Sequence, residues 1–113
     1  MVAQQRVICT SAQVVEGKGF RFSVDREDGA QPAFVIRFDG KAHAYLNQCA
    51  HVPVELDWME GDFFDYSGLY VVCSTHGAAY LPDTGHCIAG PCKGRRLVPI
   101  PIEENHGQIW LKE

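Results

Sequence analysis

Hydrophobic residues occur along this chain in short runs rich in β-branched and aromatic side chains, some partly alternating with polar residues. This pattern is typical of β-strands. The runs predict strands over residues 6–10, 20–24, 33–38, 42–46, 69–72, 80–81, 96–100 and 108–112. No window of a dozen residues has the 3.6-residue period of an amphipathic helix. The sequence therefore predicts an all-β fold, a small barrel or sandwich of antiparallel sheets.

Glycine, proline and aspartate mark the turns between these strands. Asp39-Gly40 is a strong signal for a two-residue hairpin between the third and fourth strands. The Asp-Thr-Gly sequence at 83–85 predicts another tight turn, and Gly107 predicts a turn between the last two strands. Pro99 and Pro101 make the run at 96–100 an edge strand or an irregular segment, because proline cannot donate a backbone hydrogen bond.

Length and charge limit the classes of protein to consider. A chain of 113 residues has room for one modest core, so we expect a single domain over residues 1–113. The net charge of −4 argues against nucleic acid or an anionic membrane as a partner. No apolar stretch approaches 18 residues, and the first residues lack the regions of a signal peptide. We therefore expect a cytoplasmic protein without membrane contact.

Cysteine and histidine residues form two short pairs with the spacing of metal ligands. Cys49-Ala-His51 and Cys73-Ser-Thr-His76 together offer two thiolates and two imidazoles from two loops. This donor set fits a [2Fe–2S] cluster in which two histidines replace two cysteines on one iron. A zinc site stays open as an alternative, although a C-x-H pair is unusual for structural zinc.

The flanking residues extend this motif. Cys49-Ala-His51 is followed by Cys73-Ser-Thr-His76-Gly77, then by Ala78-Ala-Tyr80, Pro82-Asp-Thr-Gly85 and Gly90-Pro91. In this order and spacing the chain resembles the Rieske-type [2Fe–2S] ferredoxins along essentially its whole length. The resemblance implies one [2Fe–2S] cluster per chain.

The resemblance also implies roles for individual residues. Cys49 and Cys73 would bind one iron, and His51 and His76 the other. Tyr80 falls where the family often has a tyrosine hydroxyl directed at a ligand sulfur. Three other residues have implied places: Gly77 would let backbone amides approach the cluster, and Gly90-Pro91 would form the loop that covers it.

Three departures from the high-potential members of the family predict a low reduction potential. Those members pair an extra cysteine from each ligand loop in a disulfide, whereas this chain has Val54 and Thr75 at the matching positions. They also place a serine hydroxyl near a bridging sulfide, where this chain has Ala78. Fewer hydrogen bonds to sulfur stabilise the reduced cluster less, so we expect a potential of roughly −150 mV.

An acidic and aromatic insertion separates the two ligand pairs. Twenty-one residues lie between His51 and Cys73, and the extra length falls within residues 55–68. No lysine or arginine occurs over residues 42–92, whereas this stretch carries Glu55, Asp57, Glu60, Asp62, Asp65 and Asp83. These acids either attract a partner with a basic face or only solvate a surface loop. Its aromatic residues, Trp58, Phe63 and Phe64, are expected to pack the insertion against the body of the domain.

The remaining cysteines and histidines are expected to have no ligand role. We expect Cys9 to lie in the core, and Cys87 and Cys92 to be reduced thiols rather than a second metal pair or a redox disulfide. Three histidines have no partner at ligand spacing: His43, His86 and His106.

Taken as a member of the family it resembles, the chain would be a soluble ferredoxin. It would take single electrons from a flavin-dependent reductase and pass them to a terminal oxygenase. We expect a monomer without enzymatic activity, since there is no nucleophile or general base to name and no room for a further domain that holds non-haem iron. Two alternatives stay open, a small accessory subunit of a larger reductase of the nitrite-reductase type and a non-redox Cys₂His₂ zinc module.

Overall fold

The computed structural model describes residues 5–26, 29–49, 55–57, 63–65, 67–73, 77–91 and 93–112. These residues form nine strands: β1 (Gln5–Thr10), β2 (Gly19–Arg26), β3 (Gly29–Phe38), β4 (Lys41–Leu46), β5 (Val71–Val72), β6 (Ala79–Tyr80), β7 (Cys87–Ala89), β8 (Ile102–Asn105) and β9 (Gln108–Lys112). The one helical segment described is a 3₁₀ turn at Ser11–Gln13. Among the described residues, no helix is long and apolar enough to cross a membrane. The predicted all-β fold is confirmed.

The strands form three antiparallel sheets of three strands each. The terminal sheet has the order β1-β9-β8, the central sheet β2-β3-β4, and the small sheet β5-β6-β7. The central sheet is a continuous meander, because each of its strands pairs with the next one along the chain. The terminal sheet instead joins the two ends of the chain through the pairing of β1 with β9.

Strand β3 is buried on both faces and separates two hydrophobic cores. Residues 33–36 are all fully buried, which explains why this run is continuously apolar rather than alternating. Ala33 and Val35 face one core, while Phe34 and Ile36 face the other, as the two-residue period of a strand requires.

The two cores differ in the elements that supply them. The terminal core contains Cys9, Val14, Val24, Ala33, Val35, Ala44, Ile100, Ile109 and Leu111. The loop core contains Phe34, Ile36, Tyr45, Cys49, Leu56, Phe63, Val71, Cys73, Ala78, Tyr80, Cys87 and Leu97. Half of the loop core lies outside strands, whereas only Val14 and Ile100 do so in the terminal core.

The hairpin between β3 and β4 forms as predicted. Asp39 and Gly40 have φ angles of 54° and 78°, the left-handed conformations that a two-residue hairpin turn of this kind requires. The Glu16 carboxylate accepts hydrogen bonds from the backbone N–H groups of both residues, at 2.7 and 3.1 Å. The turn is thereby fixed to the segment that leads into β2.

Other predicted elements need correction. The run at 69–72 is a strand only at Val71–Val72, and the run at 96–100 forms isolated bridges at Arg96 and Pro99 rather than a continuous strand. The sequence does not predict strands β7 and β8, because Cys-Ile-Ala is too short for a pattern and Ile-Glu-Glu-Asn has only one apolar residue. Gly107 does turn the chain between the last two strands, although the strand before it is β8.

Candidate metal centre

Cys49 lies three residues beyond the end of β4, in the first predicted ligand loop. Its side chain is in the loop core and the residue is only 3% exposed. The preceding Asn47 is also buried, and its backbone N–H donates to the Pro32 carbonyl at 2.8 Å. The chain therefore leaves the central sheet and turns directly into the core at Cys49.

Cys73 follows β5 and begins the second predicted ligand loop. Its backbone N–H donates to the Ala78 carbonyl at 2.9 Å, and the Gly77 N–H donates back to the Cys73 carbonyl at 2.8 Å. Gly77 has a φ of 70°, a left-handed conformation that glycine adopts without strain. These bonds bring Cys73 and Ala78 together at the two ends of a tight loop, and Cys73 itself is buried.

Tyr80 connects the two loops. It lies in β6 opposite Val71 of β5, two residues before Cys73. Its hydroxyl oxygen is 3.4 Å from the sulfur of Cys49, within hydrogen-bonding distance for sulfur. Tyr80 is fully buried in the loop core that also holds both thiols. A side chain on the second loop's sheet thus contacts the thiol of the first loop.

The segment at Gly90 packs directly on the second loop. A Cβ atom added to Gly90 would lie 2.7 Å from the Cα of Ala78, closer than two carbon atoms can approach, and Gly90 has a φ of 96°. Only glycine satisfies both conditions at this position. The Gly90 segment therefore lies against the loop that begins at Cys73, the place that the resemblance implies for a covering loop.

The structure brings together part of the predicted site. Cys49, Cys73 and Tyr80 share the loop core, and Gly77 is exposed at the turn of the second loop. His51 and His76 lie outside the described residues, so the ligand set stays a prediction. In the part of the chain that is described, no three histidine, cysteine or acidic side chains form a metal site together.

Comparison with protein families identifies this arrangement. The family model of the Rieske [2Fe–2S] domain matches residues 4–103. The chain belongs to the Rieske [2Fe–2S] domain family. The matched range contains both Cys/His pairs and the segments around Tyr80 and Gly90. The resemblance and the [2Fe–2S] cofactor predicted from the motif are confirmed.

Solved structures share the fold of this Rieske domain. One is the terminal oxygenase of carbazole 1,9a-dioxygenase from Novosphingobium sp. KA1, with a TM-score of 0.78, 23% identity, and coverage of 96% of this chain but 29% of that one. Another is the ferredoxin of carbazole 1,9a-dioxygenase from Nocardioides aromaticivorans IC177, with a TM-score of 0.76, 23% identity, and coverage of 96% of each chain.

A third match comes from a complex of reduced oxygenase and oxidised ferredoxin in carbazole 1,9a-dioxygenase. Its TM-score is 0.74 and its identity 25%, with coverage of 96% of this chain and 92% of that one. Among curated proteins, no sequence matches the chain. The Rieske domain described here thus spans 29% of the length of the terminal oxygenase, but nearly all of the ferredoxin from Nocardioides.

The described residues fit the cluster that this Rieske domain binds. Iron–sulfur clusters are held by cysteine thiolates, and their potential depends on solvent exposure and on hydrogen bonds to sulfur. Cys49 and Cys73 are 3% and 1% exposed, and the Tyr80 hydroxyl lies beside the Cys49 sulfur. Two thiols from separate loops in one water-excluding core fit the thiolate ligands of such a cluster, and the hydroxyl beside one of them can tune its potential.

One acid of the insertion, Asp57, does not have the surface character expected from the sequence. Asp57 is buried, and its carboxylate accepts a hydrogen bond from the Asn47 side-chain amide at 2.9 Å. Arg21, on β2, contacts Asp57 at 3.5 Å and Glu55 at 2.7 Å. Asp57 is therefore neither a solvating nor a steering charge. Sequence reasoning missed Arg21 because this cation comes from a strand more than 30 residues away.

Two other acids of the stretch over residues 42–92, Asp65 and Asp83, lie nearer to solvent. The Ser67 hydroxyl donates to the Asp65 carboxylate at 2.7 Å and holds the pKa of that carboxyl below its usual range. Asp83 is exposed. Glu60 and Asp62 lie outside the described residues, so electrostatic steering of a partner stays a prediction.

The aromatic residues of the insertion pack against the body of the domain, as predicted. Phe63 is fully buried and stacks on Phe34 of β3, with ring centroids 4.1 Å apart and an interplanar angle of 14°. The fit against β2 is close enough that a Cβ atom on Gly19 would lie 2.2 Å from the Phe63 ring. Phe64 is partly buried on the same core. Trp58 lies outside the described residues.

The structure describes all but one of the residues expected to have no ligand role, and their lack of such a role stays a prediction. Cys9 is buried in the terminal core, where burial first and the nearby Glu104 carboxylate second raise the pKa of its thiol. Burial lowers the pKa of His43, and His86 and His106 are exposed. Cys87 is buried and its thiol donates to the Ala89 carbonyl at 3.1 Å. Cys92 lies outside the described residues.

Proposed function

We propose that this Rieske domain is an electron-carrying ferredoxin whose single [2Fe–2S] cluster is bound by Cys49, His51, Cys73 and His76. The observation that carries the proposal is the convergence of Cys49, Cys73 and Tyr80 in one buried core. A cluster site needs thiolates from both loops in one water-excluding core, and the hydroxyl beside the Cys49 sulfur can tune the potential of the cluster. Membership of the Rieske family supports the iron–sulfur cluster over the zinc module.

The side chains have separate tasks in this proposal. A bound [2Fe–2S] cluster supplies one-electron oxidation and reduction. Cys49 and Cys73 supply thiolates inside a core that excludes water, while Tyr80 donates its hydroxyl hydrogen to the Cys49 sulfur. A hydrogen bond to sulfur stabilises the more negative, reduced state and raises the potential. Ala78, without a hydroxyl, cannot supply a second bond of this kind, which supports a potential at the low end of the Rieske range.

We infer that the electrons come from a flavin-dependent reductase and go to a terminal oxygenase. The match to a complex of oxygenase and ferredoxin supports this pairing, as does the mutual coverage of 96% with a dioxygenase ferredoxin. In the same proposal the chain is one domain over residues 1–113, is monomeric and cytoplasmic, and catalyses no reaction on a substrate. A role as accessory subunit of a larger reductase would use the same cluster with a different partner.

Two measurements test the cluster and its ligands. The purified chain is expected to contain two irons and two acid-labile sulfides, and to give the EPR spectrum of a mixed-ligand cluster after reduction. The His76→Ala variant should lose this spectrum. One zinc per chain without colour would reject the proposal, and a retained spectrum in His76→Ala would reject the ligand assignment.

Partner identity needs a reconstituted system. The chain, a flavin-dependent reductase and a terminal oxygenase are mixed, and single-turnover electron transfer is followed by the absorbance of the cluster. Reduction by the reductase followed by oxidation on adding the oxygenase is the expected result. Reduction without reoxidation by any oxygenase tried, combined with transfer to a nitrite reductase, would favour the accessory-subunit role.

A further inference from the structure

A buried polar network closes the loop that carries Cys49 and His51. Asn47 is 1% exposed, although asparagine is usually a surface residue. The side chain of Asp57 is fully buried at the other end of the same loop. Arg21, on the neighbouring strand β2, contacts Asp57 from the side and is itself only partly exposed. The three residues lie on three segments of the chain and meet where the first ligand loop begins and ends.

Every polar group of the Asn47 side chain bonds to the far end of the loop. Its amide nitrogen donates to the Asp57 carboxylate at 2.9 Å, and its carbonyl oxygen accepts from the Leu56 backbone N–H at 2.8 Å. Its backbone N–H donates to Pro32 of β3 at 2.8 Å. Asn47 therefore links the end of the loop, through its side chain, to the central sheet, through its backbone N–H.

Arg21 holds the same loop end through charge. Its Nε is 3.5 Å from Asp57 Oδ2, and a terminal guanidinium nitrogen is 2.7 Å from Glu55 Oε1. One cation thus contacts two carboxylates on either side of Leu56. The planar guanidinium group reaches both, which a single ammonium group does less well.

Fold stability alone gives a weak reason for this network. Burying a carboxylate is costly, and well-packed apolar residues can replace a buried ion pair without loss of stability. The position of the network gives a stronger reason. Asn47 lies two residues before Cys49, and Leu56 is fully buried in the loop core to which both thiols belong. The network fixes the backbone at the two points between which Cys49 and His51 lie.

We propose that Asn47, Asp57 and Arg21 are positioning residues that close the first ligand loop and hold Cys49 in place for the cluster. This inference rests on the proposed function. It assigns to the buried acid of the insertion a role that its sequence did not indicate. The outer partners of metal ligands affect binding strongly, and their loss typically weakens metal affinity about 10–100-fold.

The network also has an electrostatic consequence. Asp57 carries its charge near the start of the loop, since its partner Asn47 is two residues from Cys49. A negative charge near the cluster disfavours the added electron. Changing Asp57 to asparagine keeps the shape of the side chain but removes this charge, so the potential should rise. A residue that acts only on fold stability would not shift it.

The Arg37–Glu104 ion pair provides a matched control. It is bidentate, with contacts of 2.6 and 3.1 Å, and joins β3 to β8. Arg37 lies near the Asp39-Gly40 turn, four residues along β3 from Ala33, the residue that pairs with Leu46 at the end of β4. Glu104→Gln therefore removes the negative charge of one ion-paired carboxylate, as Asp57→Asn does, but at a distance from the ligand loop.

The test compares Asn47→Leu, Asp57→Asn and Glu104→Gln in the full-length holoprotein. We measure iron release to a chelator, reduction potential and the urea midpoint of each. Iron release is expected to be about 10–100-fold faster in Asn47→Leu and in Asp57→Asn. The potential should rise in Asp57→Asn. Glu104→Gln should lower the urea midpoint while iron release and potential stay at the level of the unaltered chain.

Three results would overturn the inference. They are unchanged iron release in Asp57→Asn, an equal increase in Glu104→Gln, or an unchanged potential in Asp57→Asn. Arg21→Met should release iron faster than the unaltered chain. Arg21→Lys should release iron more slowly than Arg21→Met, because lysine keeps the positive charge although it lacks the two-pronged guanidinium group. Equal iron release in the two variants would count against the role of Arg21. If Asn47→Leu does not fold, Asp57→Asn alone decides between these outcomes.

Hydrogen exchange separates this inference from the proposed function. The Leu56 amide bonds to Asn47, so its protection from exchange reports loop closure directly. Protection should be lost in Asn47→Leu and kept in Glu104→Gln. A chain without iron or sulfide would reject the proposed function, whereas equal Leu56 protection in all variants would reject the closure of the loop by Asn47.

Discussion

The two cores on either side of β3 are built in different ways. The terminal core is made of regular strands, and most of its residues belong to β1–β4 and β9. In the loop core, half of the residues come from connecting segments: Cys49, Leu56, Phe63, Cys73, Ala78 and Leu97. No residue of either core is more than 5% exposed, and the two cores share the same central strand. The comparison suggests that the terminal core maintains the fold, while the loop core holds ligand loops against it.

Each core contains buried cysteine, which makes the comparison easy to test. Cys9 packs in the terminal core, and Cys49, Cys73 and Cys87 pack in the loop core. All four thiols are at most 5% exposed, so exposure does not distinguish the predicted ligands Cys49 and Cys73 from the other two. Only the predicted ligand pair has a tyrosine hydroxyl beside one sulfur. The ability to bind the cluster, rather than burial, should therefore distinguish these cysteines.

The largest expected effect comes from removing these thiols one at a time. Cys49→Ala and Cys73→Ala should lose all iron and sulfide, because each removes a proposed ligand. Cys9→Ala should keep the full content, since Cys9 fills space in the terminal core. Iron and acid-labile sulfide analysis of the purified variants measures this. Loss of the cluster in Cys9→Ala, or its retention in Cys73→Ala, would break the comparison.

Core truncations test whether the two cores stabilise the fold alike. Leu56 and Ile109 are both fully buried, one in each core. Leu56→Ala and Ile109→Ala should each lower the free energy of unfolding by about 2–5 kcal/mol. Only Leu56→Ala should also speed the release of iron, because Leu56 lies next to Asn47 and Asp57 at the end of the ligand loop. Urea unfolding measures the stability of each variant, and competition with a chelator measures its release of iron. Equal iron release in Leu56→Ala and Ile109→Ala would show that the two cores do not differ in holding the ligand loop.

The sequence predicts the terminal half of this comparison better than the loop half. Strands β2, β3 and β4 follow one another through short turns, so local patterns and Asp39-Gly40 suffice to predict them. Strand β9, at 108–112, is predicted to the residue. Strand β8 is missed because its four residues, Ile-Glu-Glu-Asn, carry no alternating pattern and pair only through β9. Local sequence patterns identify strands whose own residues favour a strand. They miss strands that form only because a neighbouring strand pairs with them.

The candidate site shows the same division. The motif identifies Cys49 and Cys73 as ligand candidates, and the family resemblance directs Tyr80 at a ligand sulfur. The residues around them could not be predicted in this way. Arg21 reaches Asp57 from a distant strand, so a count of charges over residues 42–92 overestimates the negative charge there. Long-range pairs of this kind leave no local pattern.

Tyr45, on β4, holds the segment that follows β6 through its side chain. Its hydroxyl donates to the Pro82 carbonyl at 2.8 Å, and its ring packs on Gly85. Burial raises the pKa of Tyr45 to about 12 from the usual 10, with Asp83 adding to the effect. In this range the unfolded chain loses the proton first, so the stability that the neutral hydroxyl provides is complete below pH 10 and declines as pH rises through 12.

We therefore expect Tyr45→Phe to change how the free energy of unfolding depends on pH above pH 10. The raised pKa corresponds to a loss of about 3 kcal/mol in the free energy of unfolding at a pH where Tyr45 is deprotonated in both the folded and the unfolded chain. The unaltered chain should lose stability between pH 10 and 12 faster than Tyr45→Phe, while at pH 7 the variant is less stable by about 1 kcal/mol through the lost hydrogen bond. Urea unfolding across this pH range measures both. Parallel curves for the two chains would show that Tyr45 does not titrate as its burial requires.

The smallest expected effect concerns the hydroxyl that Ala78 lacks. Ala78 is fully buried in the loop core, and its carbonyl accepts the Cys73 N–H at 2.9 Å. In high-potential members of the family a serine at this position directs its hydroxyl at a bridging sulfide. Ala78→Ser should therefore raise the reduction potential, since a hydrogen bond to sulfur stabilises the reduced cluster. Protein-film or solution voltammetry measures the change.

Ala79→Ser, one position along, is the control for Ala78→Ser. Ala79 lies in β6, where neighbouring side chains point to opposite faces, so its hydroxyl should not reach the site that a residue at 78 reaches. Gly90 packs on Ala78, and the added oxygen must fit beside it. A raised potential in both variants would indicate a general effect of polarity on the loop core. A rise in Ala78→Ser alone would show that the hydroxyl missing at position 78 contributes to the potential, and that the loop core, unlike the terminal core, has a chemical as well as a packing role.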